Sequence, residues 1–512
     1  IKNKAKHSQH APDLGFFFPS ADSSQNTKGL VSSACASMGC GSSQPVRPAA
    51  GQVPVHATCV AATKADAKHV AVVLPGNYFK LIQHNENYHY HILAQPEYSM
   101  GQPLAFNVDS FVESAIAYCK KNKIEGVFGF DCFPSLIASI INTSLGLNGP
   151  SFRSVFHCIS KYYMRKELSP NVSMTKIDPL ASPSPPKTFP VVVKEIDCQF
   201  YIGTWIIYNA EQWDQTMKHL QKRSSGEIEA RKKFYFKWFQ KLHPNEMPES
   251  RWEDYVLYHM EPFFEGREQQ IEIVLEKDHN LLVADTGDII KKDGIITMFV
   301  TPGSFDIPTE WAQDICKKLH AMGYKNQAID LEFISTTQGP ELVEINSRYS
   351  YMGYASWYSD HSNNADLLHK PDLRNLENRT CSCLGIECPR FPSDENIISK
   401  LAVAVYTNRG GPVEDIVDLD FLKKYVAKGH AECWTPKPAF KAGNVGPEEF
   451  TYGGGKWAKL GFMMLTAKRV DWADTNAKLK EMFEKLFKHP DSYILAEDDE
   501  IGHVVDKHAL AY

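Results

Sequence analysis

The sequence predicts an α/β protein that also contains antiparallel sheet, an α/β (α+β) fold class. Three features lead to this prediction. An apolar, strand-like run covers 69–76, and a helix–strand–helix series follows over 110–147. Further on, two acidic strand-like runs, 328–335 and 340–347, are separated by a short turn. Alternating helices and strands are typical of a parallel sheet, whereas two strands with a short connection predict an antiparallel hairpin.

The bulk composition fits a globular protein of several domains. The chain has 512 residues, a net charge of −6 and no basic stripe with interleaved aromatics, so it offers no support for a nucleic-acid partner. No apolar run is long enough to span a bilayer. Twelve scattered cysteines favour a reduced, cytoplasmic protein over a disulfide scaffold.

The first segment, 1–66, is rich in Ser, Ala, Gln and Gly and is predicted to be disordered. Its first methionine, Met38, precedes Gly39 and Cys40, with Ser43 further on. If translation starts at Met38, Gly39 matches the N-myristoylation pattern and Cys40 is available for palmitoylation. Two acyl chains would anchor the protein to the inner membrane face. The alternative is a chance match within a low-complexity tail.

The acidic hairpin carries the strongest functional signal. Because side chains alternate along a strand, Glu344 and Asn346 are expected on one face and Val343 on the other. On the first strand, Asp330 and Glu332 share a face. Grouped carboxylates repel one another unless a cation neutralises them, and a hard cation such as Mg²⁺ prefers oxygen ligands of this kind. The alternative is a solvated acidic strand pair.

The order Glu332, then Glu344 twelve residues later, then Asn346 and Arg348, resembles the metal-binding core of the ATP-grasp ligases. That superfamily includes D-alanine–D-alanine ligase, biotin carboxylase and carnosine synthase. The resemblance implies an N-terminal parallel α/β domain, a two-part nucleotide-binding region and a small C-terminal domain. It also implies that Glu332, Glu344 and Asn346 bind Mg²⁺ or Mn²⁺ and that Arg348 is catalytic.

Two upstream lysines resemble the phosphate-binding lysines of this family. Lys161 lies in a helical segment that follows a Gly-Pro-Ser turn, and Lys194 ends an apolar strand-like run. Lys194 is expected to act in catalysis as well, by offsetting charge on the triphosphate. The family usually has a Gly/Ser-rich phosphate loop next. The loop 195–204 departs from this pattern, because it contains two acids and one glycine.

A third match concerns the nucleoside. Glu261 is followed five residues later by Gly266 and seven residues later by Glu268, as in the family's hinge. By resemblance, Glu261 and the backbone of Phe263 and Phe264 face the adenine, and Glu268 accepts hydrogen bonds from the ribose hydroxyls. The alternative is an ordinary strand that turns at Gly266.

The resemblance implies an ATP-dependent, ADP-forming ligase that joins a small-molecule carboxylate to an amine through an acyl phosphate. The alternative is a non-catalytic or repurposed ATP-grasp protein that binds nucleotide or another ligand at a membrane. The expected organisation is a disordered tail (1–66), an N-terminal α/β domain (67–160), a lid subdomain (161–265), a metal and catalytic subdomain (266–394), a closing C-terminal domain (395–495) and a tail (496–512).

Overall fold

The structure is a computed structural model, and its described residues form two compact units. The larger unit contains the described residues from 55 to 289 and from 301 to 386, and the smaller contains 290–300 and those from 398 to 495. The structure describes residues 55–76, 82, 84–98, 106–197, 203–222, 225–275, 281–292, 295–301, 307–348, 373–386, 398–427, 433–436, 438–446, 450–452, 457–468 and 472–495.

The larger unit begins with a four-stranded sheet. Its elements are β1 His56–Val60, β2 Lys68–Val73, β3 Tyr88–Ala94, α1 Val108–Lys121, β4 Gly126–Gly129 and α2 Cys132–Leu145. The strand order is β1-β3-β2-β4, in which β2 is parallel to β3 and β4. The apolar face of α2 packs into the main core of this unit. The predicted parallel sheet is confirmed.

The ordered chain starts earlier than the sequence predicts. Strand β1, inside the segment expected to be disordered, pairs antiparallel with β3 from His56 opposite Ala94 to Val60 opposite Tyr90. Backbone hydrogen bonds to an existing strand order this edge although its sequence lacks a long apolar run. Gly39 and Cys40 lie outside the described residues.

Two short helices follow, α3 Phe152–Ile159 and α4 Lys161–Leu168. Ser151 caps α3 by accepting a hydrogen bond from the Ser154 amide, as the Gly-Pro-Ser turn suggests. Ser160 has non-helical dihedral angles and separates the two helices. Lys161 is therefore the first residue of α4.

The next sheet contains four antiparallel strands in the order β5-β8-β6-β7. Two helices follow β7 and bury Trp213 and Trp238. The elements are β5 Thr175–Ile177, β6 Val191–Glu195, β7 Thr204–Ile207, α5 Ala210–Lys222, α6 Ser225–Leu242 and β8 Tyr258–Pro262.

A second antiparallel sheet carries the acidic hairpin. The elements are β9 Arg267–Leu275, β10 Leu281–Lys292, β11 Ile295–Thr301, α7 Thr309–Ala321, β12 Gln327–Thr336, β13 Gly339–Asn346 and α8 Leu373–Leu384. In the larger unit, β9 lies between β10 and β12, and β13 pairs with β12. Helix α7 contributes Ile315 and Leu319 to the same core as Leu331.

The smaller unit has its own apolar core, which includes Val403 and Phe483. Strand β14 pairs antiparallel with β19, which also pairs with β16 and β18. Its elements are β14 Ile398–Thr407, β15 Gly411–Pro412, α9 Val413–Ile416, α10 Leu419–Ala427, β16 Cys433–Pro436, α11 Pro438–Ala442, β17 Asn444–Val445, β18 Phe450–Tyr452, β19 Trp457–Lys468 and α12 Trp472–Leu486.

Within the part of the chain that the structure describes, no helix is both long and apolar enough to cross a bilayer.

Candidate nucleotide and metal site

The hairpin β12–β13 places the candidate metal ligands opposite one another. Glu332 is the direct cross-strand partner of Glu344, and Asp330 is the partner of Asn346. Directly opposite residues in an antiparallel pair have Cβ atoms about 5 Å apart, so the two glutamates are close enough to share one ion. The opposite face is apolar, and Leu331 and Ile345 are fully buried there.

One detail of the hairpin differs from the prediction. The register shifts after Glu332, so that Phe333 lies opposite Leu342 and Val343 is the extra residue of a bulge. Leu342 is fully buried, whereas Val343 is only partly buried. The alternation predicted for Val343 is therefore wrong by one residue. A bulge changes which side chains share a face, and a simple period of two does not include it.

Asn346 connects the acids of this cluster. Its Nδ2 donates to Glu332 Oε1 at 2.9 Å and lies 3.3 Å from Asp330 Oδ2. Its Oδ1 accepts from the Cys132 thiol at 3.2 Å. The amide thus joins both strands of the hairpin to the start of α2.

Burial and mutual repulsion disfavour the ionised form of two carboxyl groups in this cluster. Burial, reinforced by the neighbouring Glu344, Asp330 and Glu268, raises the pKa of Glu332 well above its usual range. Burial also raises the pKa of Asp330, although Arg348 opposes this shift. Both shifts indicate a site whose ionised form is favoured when a further cation is present.

Arg348 lies between two carboxylates. Its Nε is 3.4 Å from Asp131 Oδ1, and its Nη1 is 3.6 Å from Asp330 Oδ2. Asp131 is the N-cap of α2, where Oδ1 also accepts the Cys132 amide at 2.8 Å. The predicted catalytic arginine is therefore oriented from two directions, by its own hairpin and by the first sheet's helix.

Two basic residues of α4 form ion pairs with acids of two different sheets. Lys161 Nζ is 3.0 Å from Glu344 Oε1, and the lysine side chain is 4% exposed. Four residues later, Arg165 binds Glu261 through Nε at 2.6 Å and Nη2 at 3.2 Å. Residues four apart share one face of a helix, so this spacing brings the hairpin and β8 to the same helix face.

Glu261 forms ion pairs with basic residues of two different elements, α4 and β6. Lys194 from the neighbouring strand β6 also forms an ion pair with it. Burial alone would raise the pKa of Glu261, but Lys194 and Arg165 outweigh burial and hold it well below its usual range. The Glu261 carboxylate, predicted to face adenine, is here occupied by Arg165 and Lys194.

The hinge after Glu261 passes close to the hairpin. The Phe264 ring lies 5.2 Å from the Arg165 guanidinium carbon, a cation–π distance. Gly266 has φ +153°, and a Cβ there would lie 2.2 Å from the Ser335 carbonyl oxygen. Only glycine fits this position. Glu268 is the second residue of β9, and Phe263 lies in the hinge between β8 and β9.

The candidate ligands for a divalent cation come from both strands of the hairpin. Among the described residues, no group of three His, Cys, Asp or Glu side chains is arranged to hold a metal ion. The set predicted from the sequence is a mixed one, the carboxylates of Glu332 and Glu344 with Asn346, whose amide nitrogen faces Glu332 and whose amide oxygen faces Cys132 in this arrangement. The two carboxylates supply oxygen donors, and burial, reinforced by neighbouring carboxylates, raises the pKa of Glu332, so that a nearby cation would favour its ionised form.

The structure adds residues that the sequence patterns did not single out. Asp131 and Cys132 contact Arg348 and Asn346, although more than 200 positions separate them in the chain. Arg165 follows Lys161 in the helical segment that resembles the family's entry pattern, but the sequence assigned it no role. No short-range pattern identifies partners this distant. The position of Asp131 directly before an apolar helix is a sequence signal that could have marked it as an N-cap and as a candidate site residue.

Comparison with known proteins gave matches at the level of structure only. No family model and no curated protein matches the sequence. The L-amino acid ligase from Bacillus licheniformis is similar at a TM-score of 0.56 and 12% identity, over 85% of this chain and 100% of that one.

Two further solved structures are similar over comparable lengths. The carboxyaminoimidazole ribonucleotide synthase from Aspergillus clavatus, complexed with ATP, has a TM-score of 0.52 and 12% identity, over 86% of this chain and 99% of that one. The phosphoribosylglycinamide synthetase from Anaerococcus prevotii has a TM-score of 0.51 and 13% identity, over 84% and 100%. These likenesses, with the hairpin, hinge and paired cations described above, show that the chain has the fold of the ATP-grasp ligases.

Proposed function

We propose that this chain is an ATP- and Mg²⁺-dependent ligase that joins a carboxylate to an amine. The observation that carries the proposal is the pair of facing glutamates, Glu332 and Glu344. Lys161 forms an ion pair with Glu344, and Arg348 lies beside Asp330 of the same cluster. The likeness to solved carbon–nitrogen ligases supports the same class of reaction.

The reaction would proceed in two steps. An oxygen of the substrate carboxylate attacks the γ-phosphorus of ATP, and the bond to the β-phosphate oxygen breaks with its electron pair leaving on ADP. The amine nitrogen then attacks the carbonyl carbon of the acyl phosphate. Inorganic phosphate leaves with the electron pair of the carbon–oxygen bond, and the amine releases a proton.

The chain's own side chains would bind and orient the reactants. Lys161, Lys194 and Arg348 supply positive charge for the phosphate oxygens, where a charge in a low-dielectric site is worth several-fold more than in water. Glu332, Glu344 and Asn346 would hold Mg²⁺, which would act as a Lewis acid and stabilise negative charge on the phosphate groups.

The hinge would bind the nucleoside. The backbone of Phe263 and Phe264 offers polar groups to an adenine edge, and Glu268 is available to the ribose hydroxyls. Because its carboxylate is held by Arg165 and Lys194, Glu261 contributes chiefly by orienting Lys194. The substrates are proposed to be small molecules with a carboxylate and an amine, such as amino acids.

The test is ADP release by the full chain with Mg·ATP and a panel of carboxylates and amines, with hydroxylamine as a second nucleophile that traps acyl phosphates. Glu344→Gln is expected to lower turnover at least about 100-fold, because it removes a cation ligand. Glu341→Gln, on the same strand but outside the cluster, is the matched control and keeps wild-type turnover. Nucleotide binding without ADP release for any substrate pair would contradict the proposal and favour a non-catalytic binding protein.

A further inference from the structure

Two acids follow the second candidate phosphate lysine directly. Lys194 points to Glu261, and because side chains alternate along β6, Glu195 points to the other side of the strand. Glu195 is fully buried, and Asp197 is partly buried. Two negative charges beside a triphosphate site would oppose nucleotide binding unless they are neutralised.

A single arginine of α6 bonds both acids. Arg231 donates through Nη2 to Glu195 and through Nη1 to Asp197. Tyr235, one helical turn further on, donates its hydroxyl to Asp197 Oδ2 at 2.6 Å. Arg231 and Tyr235 are both buried.

The segment held in this way also touches the first candidate phosphate lysine. The carbonyl oxygen of Ile196, between the two acids, accepts the backbone amide of Lys161 at 2.7 Å. The Ile196 amide donates to the Leu257 carbonyl, also at 2.7 Å. The stretch from Glu195 to Asp197 therefore adjoins Lys194 in sequence and Lys161 in space.

We propose that Arg231, assisted by Tyr235, is a positioning residue for both phosphate lysines. It cancels the charge of Glu195 and Asp197 and fixes the segment on which Lys161 and Lys194 depend. This inference rests on the proposed nucleotide site and explains how a loop that begins with acids can serve a phosphate-binding strand. The helices between β7 and β8 then contribute to nucleotide binding without touching the nucleotide.

The test compares the binding of Mg·ATP, Mg·ADP and AMP by calorimetry. Arg231→Met is expected to weaken Mg·ATP binding about tenfold, because it misplaces two cations and leaves two acids uncancelled. The effect should shrink with each phosphate removed, and AMP binding should change less than about twofold. An equal loss for all three nucleotides would indicate a merely structural role and overturn the inference.

Three further variants make the test specific. Arg153→Met removes an arginine from another ion pair of the same unit, with Glu246, and should leave the three affinities unchanged. The triple variant Glu195→Gln, Asp197→Asn, Arg231→Met should bind Mg·ATP within about threefold of wild type, because the uncancelled acids are gone. Failure of this rescue overturns the charge-cancelling role.

Tyr235→Phe keeps the inference testable if Arg231→Met does not fold. This variant removes one hydrogen bond to Asp197, and a loss of about threefold is expected for Mg·ATP and none for AMP. Equal affinities in wild type and Tyr235→Phe for Mg·ATP would count against the inference. A wild-type chain that binds none of the nucleotides would overturn the proposed function itself, and this inference with it.

Discussion

Arg165 shows how much a single buried residue contributes to this site. Its side chain is fully buried, and both of its bonded nitrogens bind Glu261. Removing one member of a buried ion pair is strongly destabilising, because the remaining charge stays in a low-dielectric environment. Without Arg165, Glu261 would keep Lys194 as a partner, so its negative charge would still be partly neutralised.

Arg165→Met is therefore expected to lower the free energy of unfolding by about 3 kcal/mol. Chemical denaturation of the variant and the wild type measures this difference. Arg251→Met serves as control, because Arg251 forms an exposed pair with Asp254 and its loss should leave the transition unchanged. Equal midpoints for Arg165→Met and wild type would show that the pair contributes no net stability.

At the scale of elements, the hinge between β8 and β9 depends on one glycine. Gly266 combines a positive φ with a backbone approach to Ser335 that leaves no room for a methyl group. Gly339, in the turn of the hairpin, also has a positive φ of +120°, but nothing lies within 4 Å of its Cβ position. The two glycines separate the effect of a steric contact from that of backbone strain.

Gly266→Ala is expected to destabilise the chain by about 3 kcal/mol and to weaken Mg·ATP binding, because the hinge must move away from β12. Gly339→Ala should cost about 1 kcal/mol and leave nucleotide binding intact. Thermal unfolding and calorimetry measure both quantities. Similar effects of the two substitutions would show that the contact with Ser335 is unimportant.

The first sheet contains a cluster of three histidines, His69 on β2 and His89 and His91 on β3. His91 Nε2 lies 2.9 Å from His69 Nδ1, and His91 Nδ1 lies 3.0 Å from the Tyr118 hydroxyl. His89 stacks on His69 with ring centroids 4.6 Å apart. Burial, together with the neighbouring His69 and His89, lowers the pKa of His91 to about 4.

This cluster makes stability depend on pH. The lowered pKa means that between about pH 6.5 and pH 4 the unfolded chain binds a proton at His91 and the folded chain does not. The contribution of neutral His91 to the free energy of unfolding is complete above pH 6.5 and is lost as the pH falls towards 4. The loss amounts to about 1 to 3 kcal/mol. Unfolding free energies of wild type and His91→Gln across this range should converge as the pH falls. Parallel curves would contradict the assignment, and His84→Gln, at an exposed histidine, is the control.

At the scale of the larger unit, α4 contacts both the sheet that contains β6 and β8 and the hairpin β12–β13. Lys161 and Arg165 pair with acids of two different sheets, and the Lys161 amide is bonded to the end of β6. A ligand that contacts both sheets would add interactions that the unfolded chain lacks. Binding of such a ligand would therefore stabilise the folded state.

Mg·ATP at 100 times its dissociation constant should raise the unfolding free energy by about 2.7 kcal/mol. Glu332→Gln should stabilise the ligand-free protein, since it removes a carboxyl group whose ionised form is disfavoured by burial and by neighbouring carboxylates, but should abolish the additional effect of Mg²⁺ over ATP alone. Thermal shifts with and without Mg²⁺ measure both effects. An unchanged Mg²⁺ dependence in the variant would remove Glu332 from the metal site.

The sequence by itself determined the hairpin and the facing glutamates, because strand alternation and a short turn act between residues close in the chain. It also located the hinge through the spacing of Glu261 and Gly266. These local rules miss the bulge at Val343, since an inserted residue follows from how strand pairs twist and pack.

Only the tertiary structure determines which residues pair with each buried charge or polar group. Arg165 and Glu261 are 96 residues apart, and Cys132 and Asn346 are 214 apart. Burial favours such pairs, since a buried charge is stabilised by an opposite charge and a buried polar group by a hydrogen bond, but it does not specify from which segment the partner comes. That choice follows from how α4, α6 and the two sheets pack together, and it converts a list of charged residues into a candidate nucleotide site.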